Sequence, residues 1–232
     1  MDTPPFPLNT TFKYNSLIGR SNLGVRIHWL YFKQGSPKLI EQAGYSYDSS
    51  LGYNDAVGFR SGTTQAYHLP GTRELFELPL HIQDTAMFYP DRMNLSEDKA
   101  AGCVQKIINC AARFGGVITF NWHHRSIASE RYWDTFYQQI LESLKNMGVK
   151  FSSASYLINW FKMRRSITFE EIENNSSVIK VKLHGLQPEN FNEMVLRLYE
   201  PDLEDETREQ QRSDKSKFCD IPISKSDFEF IL

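Results

Sequence analysis

The chain has 232 residues, of which 41% are hydrophobic and 23% are charged, and its formal net charge is -2. These values are typical of a globular protein with room for one large domain or for a medium domain and a small one. The nearly neutral net charge lacks the positive excess that is typical of nucleic-acid-binding proteins. No stretch of the sequence approaches the ~18 apolar residues of a membrane helix. The 3 cysteines are an odd number without metal-type spacing, so we expect no disulfide framework and take the cytoplasm as the default compartment.

Strand-like and helix-like segments alternate between residues 25 and 165. Helices are predicted where apolar residues recur at helical spacing between a serine and a glycine, and strands where short β-favouring runs intervene. The predicted helices cover 36–44, 96–115, 129–148 and a segment from 153, and the predicted strands cover 75–80, 117–122 and 149–151. This alternation predicts an α/β fold with a parallel sheet, either a barrel or an open sheet, because parallel strands need crossover connections.

The pattern changes after about residue 166. Residues 178–183 alternate apolar and charged side chains, and 194–199 and 228–232 are also strand-like, whereas 201–217 are dense in charged and polar side chains. We therefore predict a small β-rich C-terminal module at 166–232, antiparallel and with one long polar loop.

Residues that can move protons follow two of the strand-like segments. One segment runs into His81 and Asp84, and the other is followed by His123 and His124. Because chemistry in parallel α/β folds collects where strands end and loops begin, these residues predict an active-site edge. If His123 points into that site, His124 should point away from it, since neighbouring residues of an extended chain face opposite sides.

Five segments, taken in order, carry a family resemblance. They are RIHWL at 26–30, GYSYDSS at 44–50, GFRSGT at 58–63, ELP at 77–79 with Asp84, and Trp122 with His123. In this order and spacing the chain resembles the polysaccharide deacetylases, which are metal-dependent carbohydrate amidases and esterases built on a distorted (β/α) barrel. The resemblance implies a partial (β/α) barrel at 25–165, preceded by an irregular segment at 1–24. It also implies a hydrolase that removes acetyl groups from the N-acetylated sugars of a glycan.

The resemblance implies roles for individual residues. His123 matches the histidine that protonates the departing amine, Asp84 the carboxylate that orients this histidine, and Arg60 the arginine that pairs with the catalytic base. The candidates for substrate binding are Trp122, Phe59 and His28. The residues alone leave other interpretations open, namely a satisfied histidine at a strand end for His123, a surface salt bridge for Arg60 and burial in the sheet for His28.

The resemblance is incomplete on its N-terminal side. The family's paired aspartates supply the catalytic base and one metal ligand, its two spaced histidines supply the other ligands, and both motifs should precede Arg26. Residues 1–24 contain one acidic residue, Asp2, and no histidine. The ligands of the implied divalent metal, usually zinc, are therefore not expected in this chain. A separate site built from His28, His81, Asp84 and His123 has little support, because their spacing is not typical of zinc.

The missing motifs leave three explanations. The chain is a truncated deacetylase, or a diverged, non-catalytic carbohydrate-binding protein that has lost the metal site, or a partial gene product that does not fold by itself. The first two share an N-acetylated glycan as the partner, and none of the three involves nucleic acid or a membrane segment.

For the truncated form we expect the DNA upstream of the Met1 codon to encode, in frame, the Asp-Asp and His-x-x-x-His motifs, because a zinc-dependent hydrolase needs those ligands. Sequencing of the upstream region tests this expectation directly. An upstream region without the two motifs would remove the basis for zinc-dependent activity.

Overall fold

A computed structural model describes residues 22–175, 178–185, 194–199, 218–223 and 227–231. The chain divides into two compact units, Met1–Asn159 and Trp160–Leu232. The described part is mixed α/β with several small sheets, and its strands do not close into a barrel. The predicted polar loop at 201–217 and most of the predicted irregular segment at 1–24 lie outside the described residues. Among the helices described, none combines the length and the apolar character that crossing a membrane requires.

The first unit, in its described part, consists of short strands and longer helices. The strands are β1 (Gly24–Val25), β2 (Tyr47–Asp48), β3 (Tyr67–His68), β4 (Phe76–Glu77), β5 (Ile82–Gln83) and β6 (Phe120–Asn121). The helices are α1 (Ser36–Gln42), α2 (Asp84–Phe88), α3 (Glu97–Phe114), α4 (Asp134–Asn146) and the first turns of α5 (Ala154–Ser166). Two 3-10 turns cover His28–Leu30 and His124–Ser126.

The strands of the first unit form two small sheets. In the first sheet β1, β2 and β4 are parallel neighbours, and β3 pairs with β4 in the antiparallel direction. The second sheet is the parallel pair of β5 and β6, in which Ile82 lies opposite Phe120 and Gln83 opposite Asn121. The predicted strands 75–80 and 117–122 thus contain β4 and β6. Each has a parallel neighbour, β2 and β5 respectively, but the two strands belong to different sheets and not to one parallel sheet.

The main core of the first unit lies between the apolar faces of α3 and α4 and the chain around α2. Its buried members are Ile82, Met87, Phe88, Ala100, Val104, Ile107, Ile108, Phe136, Ile140 and Leu144. Full burial of each large aliphatic or aromatic side chain contributes about 1.5–3 kcal/mol. This core anchors α2 through Met87 and Phe88, and α2 begins at Asp84. The position of that carboxylate is therefore fixed by apolar packing a turn further on.

The helix predictions are confirmed for α1, α3 and α5, with small differences at the ends. The predicted start of the helix near residue 129 is wrong, because α4 begins at Asp134. The preceding chain folds back instead, so that Trp133 N donates to Ser126 O at 2.9 Å and Tyr132 has a φ of 54°. A side chain at positive φ cannot continue a right-handed helix without strain. Helix α2 was not predicted.

The predicted strand at 149–151 is also wrong, because the chain forms no strand there. Val149 N donates to Leu144 O at 3.1 Å, so the end of α4 uses the N–H group that a strand would need. Val149 and Phe151 are exposed, 43% and 53% respectively, and none of the described strands pairs with this segment.

The second unit, in its described part, contains two antiparallel sheets. One consists of β7 (Thr168–Asn175), β8 (Val178–His184) and β11 (Asp227–Ile231), with β8 in the middle. The other is the pair of β9 (Val195–Tyr199) and β10 (Phe218–Pro222). The alternation predicted for 178–183 is confirmed, since Val181 and Leu183 are buried whereas Lys180 and Lys182 are exposed. Strands β7 and β10 were not predicted.

Two fully buried carboxyl groups join β2 to β4. Asp48 and Glu77 are partners in the parallel register; Asp48 accepts a hydrogen bond from the Ser50 hydroxyl at 2.6 Å and Glu77 from Leu51 N at 3.0 Å. Burial, and then the negative charge of Asp48, raises the pKa of Glu77 to about 8. Burial also raises the pKa of Asp48, and the nearby Arg26 guanidinium partly opposes the rise at Glu77. The pair is therefore stable when it holds a proton at neutral pH.

We expect the free energy of unfolding to fall as the pH rises from about 5 to about 8. In this range the folded protein keeps a proton on Glu77 that the unfolded chain has lost, so stability decreases by at most about 1.4 kcal/mol per pH unit for this group. Urea unfolding at several pH values measures the slope. The Glu77→Gln variant, which imitates the protonated side chain, should flatten the slope, and the exposed Glu130→Gln control should not. An identical slope in the Glu77→Gln variant would contradict this assignment.

Candidate functional site

Asp84 and His123 lie next to each other beyond the carboxyl ends of two parallel strands. Asp84 directly follows β5, and His123 comes two residues after β6. Because β5 and β6 pair in parallel register, both residues leave the sheet at the same edge. The Nδ1 atom of His123 is 2.7 Å from Oδ1 of Asp84. Backbone pairing thus brings together two residues that are 39 positions apart in the sequence.

The Asp84 carboxylate is fully buried and accepts four hydrogen bonds. Its Oδ1 atom accepts from Thr85 N at 2.6 Å and is bonded to the His123 ring; its Oδ2 atom accepts from His123 N at 2.7 Å and from the Ser126 hydroxyl at 2.5 Å. Arg131 Nη1 donates to Ser126 Oγ at 3.2 Å. Because a guanidinium can only donate, the Ser126 proton is left for Asp84. Both carboxylate oxygens therefore act as acceptors.

The arrangement around Asp84 fixes the protonation pattern of the His123 ring. Since Oδ1 of Asp84 accepts a backbone N–H and faces Nδ1, Nδ1 carries a proton and donates it to the carboxylate. The His123 side chain is 43% exposed while Asp84 has no exposed surface. The second ring nitrogen, Nε2, is the one left for an external ligand. A carboxylate that holds one ring nitrogen in this way orients the imidazole for proton transfer at the other.

His81 occupies the same segment but has a structural role. Its Nε2–H donates to Thr63 O at 3.1 Å, and its Nδ1 accepts from Thr119 N at 3.2 Å. Burial lowers the pKa of His81, so the ring is neutral and joins the chain after β4 to the chain before β6. Both ring nitrogens are occupied by the backbone, which leaves no lone pair for a metal ion. In the part of the chain described, no group of three or more His, Cys, Asp or Glu side chains is arranged to hold a metal.

Arg60 lies in a different environment from Asp84 and His123. It is exposed, and its Nη1 atom donates to Gly52 O at 2.8 Å. Among the described residues, no ion pair joins Arg60 to a carboxylate. Arg26, in contrast, interacts electrostatically with both Asp48 and Glu77. Its Nη1 atom donates to Asn121 Oδ1 at 3.1 Å and its Nε to Ser49 O at 3.0 Å.

The predicted substrate-binding residues have three different surroundings. Trp122 stacks on Tyr137 with ring centroids 4.8 Å apart and packs against the main core. Phe59 packs against the same core and contacts the His81 ring edge-on at 5.3 Å. His28 is exposed and lies edge-on to Trp29 at 5.7 Å. No hydrogen bond or ring contact of the described residues joins Phe59 or His28 to His123.

The residues that complete the surroundings of Asp84 were not predicted from the sequence. Thr85 and Ser126 donate to its carboxylate, Arg131 contacts Ser126, and Arg92 Nη1 donates to Thr85 Oγ1 at 3.0 Å. The position of Ser126, three residues after His123, is a weak signal for a turn that returns to the strand end. Arg92 and Arg131 gave no signal, because their proximity depends on how two loops fold.

Comparison with known proteins gives no match: no family model, no curated protein and no solved structure matches this chain. The chemistry of the site therefore has to be inferred from its own residues.

At a pH where the His123 ring is neutral, we expect its proton on Nδ1, because Asp84 accepts there. The ¹⁵N chemical shifts of the ring distinguish the two tautomers, and the exposed His124 serves as the control without a carboxylate partner. The Asp84→Asn variant should weaken the preference. A His123 ring protonated on Nε2 in the unchanged protein would contradict the proposed orientation.

Proposed function

We propose that the chain is a polysaccharide deacetylase-like hydrolase that removes acetyl groups from the N-acetylated sugars of a glycan, with His123 as its general acid. The observation that carries the proposal is the contact between the buried Asp84 carboxylate and Nδ1 of the half-exposed His123 ring. The sequence segments around Phe59, Arg60 and Trp122 support the same family. In this proposal Arg60 pairs with a catalytic base, and the substrate is bound by Phe59, Trp122 and His28.

The chemistry assigned to His123 is proton donation to a departing amine. Hydrolysis of an N-acetyl group adds water to the acetyl carbon and then breaks the bond between that carbon and the sugar nitrogen. The nitrogen leaves readily only when it takes up a proton, and Nε2 of a protonated His123 can supply it. Asp84 orients the ring and stabilises the imidazolium form, so Asp84 acts as a positioning residue.

The proposed activity also implies a divalent metal, which is zinc in most family members. The described residues provide no set of ligands for it. The described residues do not fit such a site, because both nitrogens of His81 and Nδ1 of His123 are occupied by other partners. Proton transfer is therefore the only step that we assign to this chain's own side chains.

A partial (β/α) barrel is the fold that accompanies this proposal. It is supported by the parallel neighbours β1, β2 and β4 and by the parallel pair β5 and β6. It is also supported by the place of Asp84 and His123 at the carboxyl ends of strands, where barrel enzymes have their active sites.

A second candidate function, a non-catalytic carbohydrate-binding protein, is favoured by the conformation of Trp29. This residue has a φ of 59°, its side chain is 52% exposed, and its carbonyl oxygen accepts a hydrogen bond from Asn54 Nδ2 at 2.6 Å. A large side chain in the left-handed region costs about 1–2 kcal/mol, and such strain is concentrated at binding sites. An exposed indole ring held in this way offers a flat surface for a sugar ring.

Acetate release from chitotetraose, with and without added Zn²⁺, tests the enzyme directly. We expect the His123→Ala variant to release acetate at least about 10²-fold more slowly than the unchanged chain, because general acid catalysis is lost. The His124→Ala variant is the matched control and should keep the rate. Equal rates for the His123→Ala variant and the unchanged chain would rule out His123 as the acid.

Equilibrium binding of the same oligosaccharide separates the two candidate functions. Binding without acetate release favours the non-catalytic protein, and the Trp29→Ala variant should then bind more weakly. A chain that neither binds nor deacetylates any N-acetylated oligosaccharide tested contradicts both.

A further inference from the structure

Two arginines that the proposed reaction does not use converge on one tyrosine ring. The guanidinium carbon of Arg92 is 5.2 Å from the centroid of the Tyr89 ring, and that of Arg131 is 4.9 Å from it. The two cations are therefore no farther apart than the sum of these distances. Arg131 Nη2 also donates to the Tyr89 hydroxyl. Both side chains are half-buried, so their positions are defined by packing as well as by charge.

The arginine pair lies beside the Asp84–His123 pair. Arg92 Nη1 donates to the hydroxyl of Thr85, the residue after Asp84, at 3.0 Å. Arg131 Nη1 donates to Ser126 Oγ, which itself donates to Asp84. Each arginine thus reaches Asp84 through one intervening residue. The two come from the loops that follow α2 and the 3-10 turn after β6, at the edge where we place the reaction.

The carboxylate closest to this pair in the hydrogen-bond network is Asp84, which Arg131 reaches through the Ser126 hydroxyl and not directly. Within the part of the chain that the structure describes, neither Arg92 nor Arg131 forms an ion pair. Glu130, which precedes Arg131 in the chain, pairs instead with Arg125 at 2.9 Å. Asp84 already accepts four hydrogen bonds, and none of them comes from an arginine. Two half-buried cations that form no direct ion pair among the described residues can bind an anion that comes from outside.

Trp29 extends the same surface. Its half-exposed indole ring lies 5.6 Å from the guanidinium carbon of Arg92. An aromatic ring for a sugar and guanidinium N–H groups for a carboxylate are therefore adjacent. This combination fits an acidic sugar better than a neutral one.

We propose that Arg92 and Arg131 form a subsite for the carboxylate of a uronic acid residue, next to the N-acetylated sugar on which His123 acts. This inference rests on the proposed function, since it names the substrate class of that site as an acidic N-acetylated glycan. The carboxylate accepts hydrogen bonds from the guanidinium groups, and the bound sugar stacks near Trp29.

Calorimetric titration of the 232-residue chain with three probes tests the subsite. The probes are hyaluronan tetrasaccharide, which alternates N-acetylglucosamine with glucuronate, the same tetrasaccharide with its carboxyl groups reduced to alcohols, and chitotetraose. We expect the acidic tetrasaccharide to bind at least about 10-fold more tightly than the reduced one, and this preference to shrink at high salt. The Arg92→Gln and Arg131→Gln variants should lose the preference. Arg125→Gln, an exposed arginine with its own carboxylate partner, is the matched control and should keep it.

The outcomes separate this inference from the proposed function. Equal affinity for the acidic and the reduced tetrasaccharide overturns the subsite alone, as does a preference that both arginine variants retain. Tighter binding of inorganic phosphate than of free glucuronate also overturns the assignment to a carboxylate. A preference for the acidic tetrasaccharide that depends on both arginines, without acetate release from any probe, supports the subsite and counts against the deacetylase. Binding of none of the three probes overturns both.

Discussion

The candidate site depends on the hydrogen bonds that the protein donates to the buried carboxylate of Asp84. A buried charge without partners is strongly destabilising, whereas Asp84 accepts four hydrogen bonds, two of them from backbone N–H groups. These donors belong to the first turn of α2, to His123 and to Ser126, so the carboxylate joins the loops that follow two neighbouring strands. The tautomer of His123, the turn at Ser126 and the placement of Arg131 all follow from this one group.

The same stretch of chain contains a second buried carboxyl group, which is stabilised in a different way. Glu77 faces Asp48 across the parallel strands, and the pair is stabilised by protonation more than by donated hydrogen bonds, since burial raises the pKa of Glu77 to about 8. Seven residues later, Asp84 is surrounded by donors that can only stabilise an acceptor. The first arrangement joins strands, and the second keeps an acceptor beside a half-exposed imidazole.

The functional proposal combines a positioned histidine with two arginines that form no direct ion pair among the described residues. His123 is held from one side by Asp84, and Arg92 and Arg131 lie one residue further out, around the Tyr89 ring. Neither arginine donates a hydrogen bond to Asp84, because that carboxylate takes its hydrogen bonds from the backbone, a hydroxyl and the imidazole. The acid and the anion subsite can therefore act on different groups of one glycan. Trp29, strained and half-exposed, lies next to this surface.

The sequence by itself determined several of the helices and strands and the titratable residues that follow two of the strands. Helical spacing between a serine and a glycine located α3, the alternation of Val181 and Leu183 with lysines located β8, and the residues after the β-favouring runs identified Asp84 and His123. Only the tertiary structure decided which donors surround Asp84, why α4 begins at Asp134 rather than near residue 129, and how Arg92 and Arg131 meet at Tyr89. Periodicity reports which face of an element is buried. Contacts between loops depend on backbone turns such as the one at Tyr132, and on hydrogen bonds between residues far apart in the chain, which leave no repeating pattern in the sequence.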